Sequence, residues 1–112
     1  MKKLLIVVLA LSLTACLPRL AQAQVLNLIP LGYQQLTSLG SATALTPISG
    51  SKQALVICTG QTVYWRDDGT DPTATIGMPL PINTPLVYTG ALARIKFIQA
   101  SASAVCNITY YQ

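Results

Sequence analysis

Three groups of residues in this chain have side chains that could do chemistry. They are three cysteines, three aspartates, and five tyrosines with a single tryptophan. Histidine is absent, which excludes Ser-His-Asp triads, Cys-His pairs and His-ligated metal centres. Asp67, Asp68 and Asp71 all lie in one DDGTD stretch, so two carboxylates cannot flank a substrate from separate elements. Their spacing also departs from a calcium-binding EF-hand loop, and the stretch reads as a turn with Arg66 beside it to offset the charge. Cys58 and Cys106 have no CxxC partner, which argues against redox catalysis and zinc. The expectation is a protein that is not an enzyme, with no catalytic, cofactor-binding or metal-binding residues.

The remaining chemistry of the cysteines concerns address and cross-linking. Lys2 and Lys3 precede the apolar run Leu4–Leu13, which is too short for a bilayer span of roughly 20 residues and fits a secretory signal. Two cleavage sites remain open. Ala21-Gln22-Ala23 suits ordinary signal peptidase and gives a signal peptide over 1–23 with a domain over 24–112. Leu13-Thr14-Ala15-Cys16 resembles a bacterial lipobox, which would make Cys16 a lipidated first residue followed by a short tether. Three acyl chains would anchor the protein firmly, at about 0.8 kcal/mol per buried methylene. In either case Cys58 and Cys106 remain as an even pair in an oxidising compartment, and a disulfide is expected. The closed loop of roughly 49 residues would contribute about 4 kcal/mol in the chain-entropy model. Periplasm or outer membrane is the expected location, with membrane contact only through the lipid anchor.

The elements that position these residues read as strands. From Gln24 onward no apolar helical stripe is free of Gly and Pro, and these residues punctuate the chain at short intervals. Gln53–Thr59 is rich in apolar and β-branched residues and stops at Gly60. Gln61–Arg66 alternates, with Val63 and Trp65 on one face and Tyr64 and Arg66 on the other. Thr73–Ile76, Leu86–Thr89, Arg94–Gln99 and Val105–Tyr111 are further strands, with weaker ones at Tyr33–Leu36 and Ala42–Leu45. Pro79, Pro81 and Pro85 confine the stretch from Met78 to Pro85 to an edge or a loop. If Ala54, Val56 and Cys58 face inward, and Cys106 does so beside Ile108, a disulfide joins two core-facing strands, as a sandwich permits. The predicted fold class is all-β, a compact antiparallel β-sandwich or small jelly roll of about seven to eight short strands.

The aromatic residues Tyr64, Trp65, Tyr88, Tyr110 and Tyr111 could form a platform, but Trp65 shares a face with Val63 and is assigned to the core. Tyr64, Arg66 and Tyr111 are the candidate contact surface. Lys52, Arg66, Arg94 and Lys96 are spread over three strand candidates without forming a stripe, so no nucleic-acid partner is expected. Asn107-Ile108-Thr109 matches a glycosylation sequon that a bacterial-type signal leaves idle.

Several stretches carry a resemblance. Leu31–Leu39, Ala44-Leu45-Thr46-Pro47, Trp65–Thr70, Pro72–Thr75, Gly77–Leu80, Ile95–Ile98 and Asn107–Tyr111 together resemble small bacteriophage virion structural proteins of the head-decoration or tail-accessory type. The resemblance spans about Ile29 to Tyr111. It implies a compact β domain that contacts other protein, such as capsid or tail subunits, and performs no chemistry. It also implies a virion location and, for a decoration protein, a homo-oligomer. The export signal and the cysteine pair depart from that pattern and agree with each other. An outer-membrane lipoprotein adaptor or adhesin anchored through Cys16 is the alternative. Charge also fits an exported contact module. The formal net charge is +4, but Lys2, Lys3 and Arg19 fall in the targeting segment, and the domain from Gln24 keeps a side-chain net of +1.

Overall fold

The computed structural model describes residues 27–112. The signal segment, both cleavage sites and Cys16 lie outside the described residues. Eight strands follow in order: β1 (Pro30–Leu36), β2 (Thr43–Ala44), β3 (Gln53–Thr59), β4 (Val63–Arg66), β5 (Met78–Leu80), β6 (Leu86–Tyr88), β7 (Lys96–Gln99) and β8 (Val105–Tyr111). They form two four-stranded sheets, one in the order β1-β8-β3-β6 and the other β2-β7-β4-β5. All pairings are antiparallel.

The pairing follows a rule that identifies the topology. First pairs with last, second with seventh, third with sixth and fourth with fifth. That is one long antiparallel ribbon folded over on itself, the connectivity of an eight-stranded jelly roll. The all-β sandwich expected from Gly and Pro punctuation is therefore what the chain forms.

Alternation within the strands builds the core. On β3, Ala54, Val56 and Cys58 are buried while Leu55 and Ile57 are half-buried on the other side. On β8, Cys106, Ile108 and Tyr110 are buried in the same rhythm. The second sheet contributes Val63, Leu80 and Phe97, and Leu39, Leu45, Leu92 and Ile95 from flanking loops complete a single apolar cluster. Fully burying side chains of this size contributes roughly 1.5–3 kcal/mol each.

One predicted strand is absent. Thr73–Ile76 is a tight turn in which Thr73 and Ile76 exchange main-chain hydrogen bonds at 2.9 and 3.3 Å. The Thr73 hydroxyl also accepts from the Ile76 and Thr75 amides, so the side chain captures groups a strand would need for pairing. The proline-rich stretch behaves as its residues dictate: β5, which contains Pro79, is an edge strand.

Candidate contact face

Cys58 and Cys106 are disulfide-bonded, and both are fully buried. The strands they join are neighbours within one sheet, and the two residues are directly paired. The Cys58 carbonyl accepts from the Asn83 amide at 2.8 Å, on the β6 side of β3. Main-chain N–H and C=O of a strand residue point to the same side, so Cys58 and Cys106 form a pair without hydrogen bonds between them. Such pairs have the closer Cα spacing, and here it is 4.0 Å. Gly60, just beyond β3, has φ +84°, and a Cβ there would collide with the Ser103 carbonyl. Glycine lets the loops at this end of β3 and β8 close over the cross-link.

The outward residues of this sheet line up in rows set by the register. Tyr33, Thr109, Leu55 and Val87 run side by side across all four strands. Beside them Gln35, Asn107 and Ile57 form a second row, and Tyr111 with Gln53 lies on the other flank. None of these side chains is charged. Tyr33 is 61% exposed and Val87 59%. The Asn107 side-chain oxygen accepts from the Tyr33 hydroxyl at 2.5 Å and from Gln35 Nε2 at 3.0 Å, which ties β1 to β8 across the surface.

The outer face of β2-β7-β4-β5 has a different character. Arg66 and Lys96 are directly paired on β4 and β7. Each is capped from the β4–β5 loop, Arg66 by Asp68 at 2.5 Å and Lys96 by Asp71 at 2.6 Å. Asp68 also accepts from the Thr70 amide at 3.2 Å. The hydrogen bond from Arg66 and then that amide hold the Asp68 carboxyl below its ordinary pKa, while Asp68 raises the guanidinium of Arg66. Gly77, with φ +147°, would place a Cβ 3.2 Å from that of Tyr64. The loop 67–77 thus folds back over this face and covers part of it.

Asp67 turns inward to the other sheet and accepts from the Tyr88 hydroxyl at 2.7 Å. The Tyr88 ring meets Trp65 edge-on, with centroids 6.0 Å apart. Burial first, and Asp67 second, push the Tyr88 phenol up to about 12. Each aspartate of DDGTD therefore has its own partner, and no cluster of three metal-ligating residues occurs among the described residues. A shallow, open depression of about 230 Å³ between the two legs of the loop is lined by Arg66, Asp67, Asp68, Ile76, Gly77 and Met78.

Of the candidate surface residues, Tyr64 and Arg66 lie on one outer face and Tyr111 on the other. The sandwich does not bring them together. Trp65 is half-buried against the core, as its place beside Val63 suggests. Tyr33, Leu55 and Val87 are not among the sequence-derived surface residues, and Asn107 entered as part of a sequon. The available signal was β3 itself: Ala54-Leu55-Val56-Ile57-Cys58 is apolar at both parities, the pattern of a strand covered on both faces.

Fold and surface together define an antiparallel jelly-roll sandwich with one uncharged outer face. Comparison with known protein families, curated proteins and solved structures gives no match.

Proposed function

We propose that this protein is a non-enzymatic contact module that binds another protein through the outer face of β1-β8-β3-β6. The observation that carries this reading is the unbroken uncharged surface over four strands, with Tyr33 and Val87 exposed and Leu55 and Ile57 beside them. Interface centres are depleted of charge and enriched in aromatic residues. The setting we favour is an exported or virion-associated one, with capsid, tail or envelope proteins as partners. The signal-like segment, the resemblance to phage decoration proteins and a disulfide suited to an oxidising compartment support it. The test is cross-linking in the expressing cell followed by identification of the captured protein. A Leu55→Lys/Thr109→Lys variant should fold and lose the capture. Capture unchanged in that variant removes the face from the reading.

The second reading is a lipoprotein adaptor or adhesin, favoured by Leu13-Thr14-Ala15-Cys16. Intact mass decides between them. A chain beginning at an acylated Cys16 supports the anchor, and a start at Gln24 eliminates it.

A further inference from the structure

The register also settles which main-chain groups of β1 face outward. Because Cys58 and Cys106 are a pair without mutual hydrogen bonds, the main-chain groups of Cys106 point to β1, toward Leu36. Alternation then turns the groups of Asn107 and Thr109 toward β3. Their β1 partners, Gln35 and Tyr33, must point their own N–H and C=O away from β8, to the open edge of the sheet. Among the described residues no loop backbone bonds to either one.

The other edges are two or three residues long, and β5 carries Pro79. β1 runs for seven residues without a charged side chain. Its Pro30 and the irregularity between Pro30 and Gly32 protect only its start. The inner side is closed by this chain: Ile48 fills the space beneath Gly32, and Gln34 binds the Thr46 amide at 3.0 Å. Among the described residues, what remains free is the edge from Tyr33 to Gln35.

We infer that β1 pairs antiparallel with β1 of a second copy about a two-fold axis beside Gln34. That axis sets Tyr33 opposite Gln35 of the other copy, and Gln35 opposite its Tyr33. Both residues point their main-chain groups outward, so the two pairs form about four main-chain hydrogen bonds. Like charges never meet: Tyr33 faces Gln35 of the other copy on the outer side, and Gln34 faces its counterpart on the inner side. The result is a two-fold interface of the self-complementary kind that closes on itself. It joins two β1-β8-β3-β6 sheets into one and makes their uncharged outer faces continuous. The inference stands apart from the identity of the face's partner.

Sedimentation equilibrium on the protein recovered from cells expressing the full chain tests this at about 0.1 mM. Twice the monomer mass is expected. Gln35→Pro deletes one outward N–H per chain without removing a main-chain bond to β8, although the side-chain bond to Asn107 goes with it, and should raise the dimer dissociation constant by at least about tenfold. A Tyr33→Cys/Gln35→Cys variant should form a covalent dimer on oxidation, since paired strand positions about 5.5 Å apart lie within disulfide range. A monomeric protein at that concentration overturns the inference. So does an undiminished dimer in Gln35→Pro, or a failure of the double-cysteine variant to cross-link. The face variant Leu55→Lys/Thr109→Lys leaves the β1 edge intact, so loss of capture and loss of dimerisation are read separately.

Discussion

The two outer faces of this sandwich arise from the same alternation of strand residues and diverge in what finishes them. On β2-β7-β4-β5, Arg66 and Lys96 stand side by side, and the chain supplies Asp68 and Asp71 from its own loop to neutralise them. That surface is completed within the molecule. On β1-β8-β3-β6 no such loop contact is found among the described residues. Tyr33 and Val87 stay exposed, and β3 is apolar toward both sides. The difference teaches that, of the two outer faces, the one that carries charge has it answered by the fold, and the uncharged one is the face that the proposed contact function would use.

The contrast can be broken at several points. The largest effect should come from the cross-link under the uncharged face. Reduction, or Cys58→Ala/Cys106→Ala, should cost up to about 4 kcal/mol in denaturant unfolding, because the 48-residue separation gives a long constrained loop. A loss below about 1 kcal/mol would mean that this sheet does not depend on its cross-link. Thiol titration of the native protein should find neither Cys58 nor Cys106 free.

Next is the clamp between the faces, Tyr88 on Asp67. Its phenol titrates near 12 in the fold, against about 10 unfolded. Folding therefore favours the protonated form. The contribution is complete below pH 10 and disappears as pH rises through 12, an effect of about 2–3 kcal/mol. Tyr88→Phe should flatten most of the alkaline fall in stability. Tyr110, also raised by burial, keeps a share. An unchanged alkaline slope in Tyr88→Phe would show that the clamp is not what titrates.

Single lysines placed on each face sharpen the contrast functionally. Leu55→Lys should change stability by less than about 1 kcal/mol and weaken partner capture. Ile98→Lys, on the loop-covered side, should leave capture intact. Equal losses from both would erase the distinction. The smallest effect belongs to Lys96→Met, which removes an exposed ion pair worth at most about 0.5 kcal/mol. Its cost should vanish in high salt, as thermal unfolding at two ionic strengths would report.

Much of the fold was legible because alternation and turn chemistry are local. Gln53–Thr59 and Val105–Tyr111 read as strands with their observed bounds, and Pro79 left its stretch an edge or a loop, of which the edge is what forms. Thr73–Ile76 misled because β-branched residues favour strands, whereas here the Thr73 hydroxyl engages local amides. The disulfide was legible from cysteine parity, but not that its strands are neighbours, since register depends on residues far apart in sequence. For the same reason Tyr64, Arg66 and Tyr111 read as one surface: each is outward on its own strand, and only the sheet order separates them. Tyr33 and Asn107, 74 positions apart, could be joined only by the pairing of β1 with β8.

The pairing of first strand with last also constrains when the domain can form. β8 lies between β1 and β3, so β1 has no sheet neighbour until residues 105–111 have arrived. The sheet β2-β7-β4-β5 and the β3-β6 pair can form before β8 does, whereas β1 must wait, and topologies dominated by distant pairings fold slowly. Completion of the β1-β8-β3-β6 sheet and closure of Cys58 with Cys106 are therefore late events that come together.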